Sequence, residues 1–219
     1  LSTSSAASDV YKRQEYNYLK LNNIIEGFIN LISRQRLFKC IDNTINSGDT
    51  VRVSSDYSQA SILVIFINDE EKKTSSILIT QRKQNLRKHA GQVAFPGGRK
   101  EDSDKNLMDT VIRETEEEIN LSKDNYEIIG NLPNFYTGTG YVVTPFIALM
   151  KSTSNWANVI YSNPEEVEKI FIPESRLLLS PEFHIREKPP ISSSMLMTWR
   201  INYNNENIWG LTARAVSYT

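Results

Sequence analysis

Cysteine is almost absent from this sequence, which limits both its chemistry and its setting. The single residue, Cys40, excludes an internal disulfide and fits a reducing compartment such as the cytoplasm. No local signature of a cysteine nucleophile surrounds it, so we assign it a structural or incidental role. Disulfide-braced scaffolds are therefore excluded.

An excess of either charge and a long apolar run are also missing. Lys and Arg number 25 against 26 Asp and Glu, which gives a formal net charge of −1 at pH 7. The chain thus has no global basic field for nucleic acid or an anionic membrane. No apolar run approaches the ~20 residues of a membrane span. With 219 residues, 39% of them hydrophobic, we expect one globular domain with a sizeable core.

The two ends of the chain differ in character from the rest. The small polar run LSTSSAAS at the start is neither a signal peptide nor a convincing structural element. The segment SDVYKRQ that follows, and AVSYT at the end, resemble translated sequencing adapters. We therefore expect residues 1–14 and 215–219 to be non-native. An organelle address at a lost native C-terminus stays open.

Hydrophobic periodicity divides the remaining chain into helices and strands. Apolar residues at helical spacing predict one or two helices over 16–39, before a polar loop over 40–60. The predicted strands are 62–67, 75–82, 93–95, 126–132, 141–150, 167–173, 195–201 and 207–211. The first two and the last two are predicted hairpins. Residues 151–165 predict a polar loop, with a short helix at RLLL and a final helix from Thr212. Strands on both sides of an amphipathic helix indicate a mixed sheet with helices packed on it.

That amphipathic helix, predicted over 106–120, carries an unusual cluster of carboxylates near its C-terminal end. Residues three and four apart share a helix face, so Glu114, Glu117 and Glu118 should converge on one patch. Like charges repel at these spacings, and the negative end of the helix dipole disfavours carboxylates. A hard divalent cation such as Mg²⁺ or Mn²⁺ would neutralise the patch. A solvated helix face is the alternative.

The opposite face of this helix carries a mostly apolar stripe at helical spacing. Such a stripe predicts packing against the sheet, so the acidic patch should be turned away from the core. The stripe consists of Met108, Val111, Ile112, Thr115 and Ile119.

Two glycines and a basic stretch precede the helix. Gly97 and Gly98 predict a backbone turn that no side chain could share. The basic residues are Arg82, Lys83, Arg87, Lys88 and His89. By composition alone this stretch is a solvated loop or, less well supported, a nucleic-acid contact.

Read together, these features resemble the Nudix hydrolases. Their box has a glycine, an Arg-Glu pair, a hydrophobic residue and two adjacent glutamates. The corresponding residues here are Gly98, Arg113, Glu114, Thr115, Glu117 and Glu118. The segment LRKHAGQVAFPGG, with the acidic EDSD after it, resembles the coenzyme A pyrophosphatase subgroup. The similarity spans roughly residues 60–214. Asn120 stands where the box has a glycine after the glutamates, and because asparagine tolerates a left-handed backbone better than most residues, it can keep the helix-ending role. Thr115 replaces the usual aliphatic residue.

The resemblance implies a fold and a set of site residues. The fold would be a single α/β domain, an α/β/α sandwich around a mixed sheet over 61–214, after a helical segment and loop over 15–60. The implied Mg²⁺ or Mn²⁺ ligands are Glu114, Glu117 and Glu118, with Glu117 alternatively the general base. Arg113 would orient this cluster through ion pairs. Glu166 would add an acidic group near the metals, or be an ordinary surface glutamate.

The resemblance also implies a substrate. Coenzyme A carries a 3′-phosphate besides its diphosphate, so a cationic loop beside the site is chemically apt. The implied substrate-binding residues are Arg82, Arg87, His89, Gln92, Gly97 and Gly98. The implied reaction cleaves coenzyme A or an acyl-CoA to 4′-phosphopantetheine, or its acyl form, and adenosine 3′,5′-bisphosphate. Hydrolysis of another nucleoside diphosphate derivative is the first alternative, and a non-catalytic binding module is the second.

Overall fold

Most of the chain beyond residue 56 is described by the computed structural model. The described residues are 33–35, 37, 57–86, 89–137, 139–151, 156–187, 198–203 and 206–216. Their strands are β1 (Ser58–Asp69), β2 (Thr74–Ile77), β3 (Ile79–Arg82), β4 (Val93–Ala94), β5 (Gly97–Arg99), β6 (Tyr126–Asn131), β7 (Phe135–Tyr136), β8 (Tyr141–Met150), β9 (Val167–Phe171), β10 (His184–Glu187), β11 (Thr198–Tyr203) and β12 (Glu206–Trp209). Their helices are α1 (Leu107–Ile119), α2 (Trp156–Val159), α3 (Ser175–Leu179) and α4 (Gly210–Val216).

Strand β1 lies at the centre of the fold with both of its faces covered. Leu63 and Ile65 belong to one cluster of buried apolar side chains, and Val64 and Phe66 belong to another. Successive side chains of a strand point to opposite faces, so the continuous apolar run fills both.

The largest sheet is built around this strand and is mixed, as predicted. β1 pairs antiparallel with β2 and with β5, and parallel with β8. β6 and β7 pair antiparallel with β8. The charged turn NDEEKKT joins β1 to β2, which confirms the predicted hairpin.

The single strand predicted over 75–82 is wrong, because the chain changes sheets at Leu78. Up to Ile77 it pairs with β1, whereas β3 pairs with β4 and β9 in a second, three-stranded sheet. Leu78 is fully buried, and its N–H donates to the Ile65 carbonyl at 3.1 Å. The switch carries Gln81 and Arg82 away from the main sheet. A third sheet has the order β10-β11-β12 and contains the predicted C-terminal hairpin.

Helices cover the two faces of the main sheet. Val111 and Ile119 of α1 pack with Leu63 and Ile65 on one face. The other face carries side chains of α3 and α4, with Leu178, Ala213 and Val216 in its cluster. The predicted α/β/α sandwich around a mixed sheet is therefore confirmed.

Other differences from the sequence prediction are local. Met108 is 42% exposed, so it does not belong to the buried stripe of α1. The predicted loop over 151–165 contains α2, and the final helix begins at Gly210 rather than Thr212. The helices predicted over 16–39 lie almost wholly outside the described residues. The loop predicted over 40–60 is described only from residue 57, and its last three residues belong to β1 instead. In the part of the chain that the structure describes, no helix is long and apolar enough to cross a membrane.

Candidate active site

Asparagines bound the acidic helix α1 at both ends. The side chain of Asn106 accepts hydrogen bonds from two N–H groups of the first turn, an N-cap interaction. Asn120 ends the helix with φ 53° and ψ 25°, and its N–H donates to the Glu116 carbonyl at 2.9 Å. This confirms that asparagine takes the left-handed role of the glycine usual at this position.

The three glutamates of α1 differ sharply in burial. The exposed fractions of their side chains are 16% for Glu114, 51% for Glu117 and 3% for Glu118. The predicted common patch, turned away from the core, is therefore wrong for Glu118. Each helical residue is rotated by about 100° from the one before it. Glu114 and Glu118 consequently line up facing β5, while Glu117 is turned outward.

Both oxygens of the buried Glu118 carboxylate have donors. Arg82 Nη1 donates to Oε1 at 3.0 Å, and the Gly97 N–H donates to Oε2 at 3.3 Å. Burial nevertheless raises the pKa of Glu118 to about 8, against the lowering effect of Arg82 and of this N–H. The carboxylates of Glu114 and Glu166 push that pKa further upward.

Glu114 occupies space that only a glycine leaves open. A Cβ built on Gly98 would lie 2.6 Å from Glu114 Oε2 and closer still to the other carboxylate atoms. Burial raises the pKa of Glu114, while the neighbouring guanidinium of Arg113 lowers it. Glu117 and Glu166 act in the same direction as burial. Glu166 thus belongs to the same electrostatic cluster as the glutamates of α1.

Backbone hydrogen bonds bring Glu166 to this cluster. Its N–H donates to the Asn163 carbonyl at 3.2 Å, and its carbonyl accepts from the Lys83 N–H at 2.9 Å. The Asn163 N–H donates to the Glu118 carbonyl at 2.8 Å. The segment before β9 therefore connects the end of α1 to the end of β3, and Glu166 lies at this junction.

Arg113 is held by a carboxylate that the sequence prediction does not contain. Its Nε and Nη2 donate to the two oxygens of Asp104, both at 3.0 Å. Its Nη1 donates to Glu114 at 3.1 Å and to Glu117 at 2.9 Å. The guanidinium holds the pKa of the Asp104 carboxyl well below its usual range. Through these contacts Arg113 joins Asp104 to Glu114 and Glu117, and its role in orienting the glutamates for catalysis stays a prediction. The sequence feature that could have indicated Asp104 as a partner of Arg113 is its position in the acidic segment EDSD.

The two glycines lie in strand β5 and not in the predicted turn. Gly97 pairs with Ile62, and Gly98 pairs with Ser61. Gly97 has φ 146°, and a Cβ there would meet the Ser61 carbonyl oxygen and lie 2.7 Å from Ile62 Cα. The glycines therefore allow backbone and a carboxylate to approach β5 closely.

The basic loop connects β3 to β4 beside this cluster. The Arg82 N–H donates to the Gln92 carbonyl at 2.9 Å and closes the base of the loop. His89 has φ 57°, and its Nδ1 lies 2.9 Å from Gln92 Oε1. His89 and Gln92, both predicted substrate contacts, thus contact each other. Arg87 and Lys88 lie outside the described residues.

The donor chemistry of the cluster fits a hard divalent cation. Among the described residues, no three His, Cys, Asp or Glu side chains already stand close enough together to hold a metal ion. Arg113 and Arg82 instead bond to the carboxylates. Burial raises the pKa values of Glu114 and Glu118, so the site stabilises their negative charge poorly. Carboxylate oxygens in such surroundings suit Mg²⁺ or Mn²⁺.

Comparison with known proteins identifies the family. Residues 58–189 match the model of the NUDIX domain. The chain belongs to the Nudix hydrolase family, and it is an enzyme that hydrolyses nucleoside diphosphate derivatives. Enzymes of this family generally use divalent metal ions such as Mg²⁺ or Mn²⁺.

Relatives of this chain occur in two Yersinia species. It is 35% identical over 169 residues to the uncharacterized Nudix hydrolase NudL of Yersinia pestis (strain Pestoides F), covering 75% of this chain and 79% of the relative. The same values hold for NudL of Yersinia pseudotuberculosis serotype O:1b. A solved MutT/nudix family protein from Enterococcus faecalis is 15% identical with a TM-score of 0.46, covering 86% of this chain and 73% of that one.

The two glycines give a matched pair of variants. Gly98→Ala should lower kcat about a hundredfold, because the new methyl group displaces the Glu114 carboxylate. It should change the free energy of unfolding by less than about 1 kcal/mol, because a flexible side chain can move aside. Gly97→Ala meets backbone atoms at a left-handed φ and should destabilise the fold by about 2–4 kcal/mol. Chemical denaturation and kcat at metal saturation measure both effects, and full activity in Gly98→Ala would contradict the role of Glu114.

Proposed function

We propose that this Nudix hydrolase cleaves the diphosphate of coenzyme A or an acyl-CoA. The products would be 4′-phosphopantetheine, or its acyl form, and adenosine 3′,5′-bisphosphate, with Mg²⁺ or Mn²⁺ as cofactor. One observation carries the proposal: both ends of the segment 82–97 bond to one carboxylate, through Arg82 and Gly97 on Glu118. The segment LRKHAGQVAFPGG, which resembles the coenzyme A subgroup, therefore lies almost wholly within a stretch of chain that begins and ends at the acidic cluster.

The residues of the cluster have distinct roles in this proposal. Glu114 and Glu118, with Glu117, would hold the metal. The bound cation would screen the phosphate oxygens and lower the pKa of a water molecule. Glu117 is the most exposed of the three and is the candidate general base. Arg113 keeps Glu114 and Glu117 in place through its contacts with both.

The basic loop accounts for the choice of substrate. Coenzyme A shares its diphosphate with other nucleoside diphosphate derivatives such as ADP-ribose, so the acidic cluster alone cannot distinguish these substrates. Coenzyme A differs from them in its additional 3′-phosphate. Arg87 and Lys83, both in the segment that leads away from Arg82, offer positive charge to such a group.

Direct assay of the products tests this function. The protein is incubated with coenzyme A and Mn²⁺ or Mg²⁺, with a chelator in a parallel sample, and the products are separated by chromatography. We expect adenosine 3′,5′-bisphosphate only in the samples with metal. If no bisphosphate forms while ADP-ribose or a nucleoside triphosphate is cleaved, the coenzyme A assignment is wrong.

A variant in the basic loop tests recognition of the 3′-phosphate. Arg87→Ala should lower kcat/KM for coenzyme A by about tenfold, the loss of one charge-assisted hydrogen bond. It should leave kcat/KM for 3′-dephospho-coenzyme A unchanged, because that substrate lacks the phosphate. Arg176→Ala, at an exposed arginine of α3, is the matched control and should affect neither substrate. Equal losses for both substrates would contradict a contact with the 3′-phosphate.

A further inference from the structure

We propose that Glu206 is a positioning residue for the basic loop, acting through Gln81. Gln81 Nε2 donates two hydrogen bonds. One goes to Glu206 Oε2 at 3.0 Å, and the other goes to the Gly91 carbonyl oxygen at 3.4 Å. One amide group therefore joins the C-terminal hairpin to the loop between β3 and β4. The inference rests on the proposed function only in taking that loop as the substrate-binding segment.

The position of Gln81 in β3 explains why this contact matters. Adjacent side chains of a strand point to opposite faces. Arg82 contacts Glu118 on one face, and Gln81 contacts Glu206 on the other. The end of the strand that leads into the loop is thus held from both sides. The acidic cluster holds one side and the C-terminal hairpin holds the other.

The loop residue that Gln81 contacts has a demanding conformation. Gly91 has φ 69°, and a Cβ there would lie 2.7 Å from Gln84 Cδ. Its N–H donates to the Lys83 carbonyl at 3.4 Å. The loop therefore folds back on itself at Gly91. Because Gln81 also bonds to Glu206, its contact with the Gly91 carbonyl allows the C-terminal hairpin to stabilise this conformation of the loop.

A third strand fixes the Glu206 carboxylate. Lys169 of β9 lies opposite Gln81 in the register, and its Nζ is 3.5 Å from Glu206 Oε1. The Glu206 side chain is 23% exposed, so the pair is only partly screened by solvent. Glu206 also lies beyond residues 58–189, which match the family model. A segment outside that match thus supports the loop next to the active site.

The test separates loop positioning from overall stability. Glu206→Ala should raise KM for the substrate by about five- to tenfold and change kcat by less than about twofold, since the acidic cluster stays intact. Trypsin should also cleave Glu206→Ala faster than the wild type after Lys83, Arg87 or Lys88. Glu206→Gln keeps an oxygen acceptor for Gln81 but loses the ion pair with Lys169, so KM and the cleavage rate of this variant should lie close to the wild-type values.

Two further variants complete the design. Gln81→Leu should reproduce Glu206→Ala, and the double variant should show no additional change, because both act through one contact. Glu187→Ala removes an ion pair with Arg200 in the same three-stranded sheet and is the matched control. It should leave KM and loop cleavage unchanged.

The rate of loop cleavage does not depend on which nucleotide the enzyme hydrolyses. Wild-type rates of loop cleavage in Glu206→Ala, or equal acceleration in Glu187→Ala, would overturn the positioning role. Faster loop cleavage in Glu206→Ala, together with near-wild-type cleavage in Glu206→Gln, would support the positioning role, whichever nucleotide the enzyme hydrolyses. KM is then measured on that nucleotide, so failure of coenzyme A as a substrate leaves the test intact.

Discussion

Glu118→Gln is expected to lower kcat about a thousandfold and, at pH 8, to raise the unfolding temperature of the metal-free protein. The loss of activity follows if Glu118 is a metal ligand, because a bound cation contributes several kcal/mol to stabilising the transition state. The gain in stability follows from burial. A carboxylate that is 3% exposed costs free energy whenever it is ionised.

The pKa of Glu118 gives this effect a defined pH window. Its value of about 8 in the folded protein lies above the ordinary value of 4.5. Between these values the folded protein keeps a proton that the unfolded chain has released, so stability falls as pH rises from about 4.5 to 8. Glutamine stays neutral throughout and avoids that loss. The variant should therefore be more stable at pH 8, by less than the full cost of ionising the buried carboxyl, because one of the two donors, Arg82 or the Gly97 N–H, then faces the glutamine N–H₂ group.

Thermal unfolding in chelator at several pH values measures this prediction. The difference between Glu118→Gln and the wild type should be small at pH 4.5 and should grow towards pH 8. Glu116→Gln, at an exposed glutamate of the same helix, should match the wild type in both stability and kcat. Lower stability of Glu118→Gln at pH 8 would show that the buried carboxylate is not a source of instability.

Glu117→Gln is expected to lose activity to a similar degree without any change in stability. Loss of a general base lowers turnover by about 10²- to 10⁴-fold. The Glu117 side chain is 51% exposed, and its ion pair with Arg113 is worth little. Arg113 keeps both of its bonds to Asp104 in the variant. The free energy of unfolding should therefore change by less than about 0.5 kcal/mol.

Measurements of kcat at metal saturation and of chemical denaturation test this second prediction. A wild-type kcat in Glu117→Gln would contradict a general-base role for Glu117 and favour another group as the base. A wild-type kcat in both glutamine variants would show that neither Glu117 nor Glu118 of α1 is needed for catalysis. The two variants together distinguish the effect on kcat from the effect on stability. Both should lose most of their activity, but only Glu118→Gln should unfold at a higher temperature than the wild type.

Much of the fold was predictable from local patterns. The apolar run in β1, the acidic helix α1 and the hairpin between β1 and β2 follow from periodicity and turn composition. The division of residues 74–82 between two sheets was not, because the apolar pattern continues through Leu78 without a glycine or proline. Which sheet a strand joins depends on distant partners and not on its own sequence.

The sequence by itself determined the family, the acidic helix, the left-handed end at Asn120 and the proximity of the basic segment to the glycines. These depend on spacing along the chain, which helix and strand geometry convert directly into position. The tertiary structure alone decided which glutamate is buried, which carboxylate holds Arg113, and that the glycines lie in a strand beneath Glu114. Those depend on how α1 rests on β5 and β3, and contacts between elements distant in sequence leave no periodic signal in the chain.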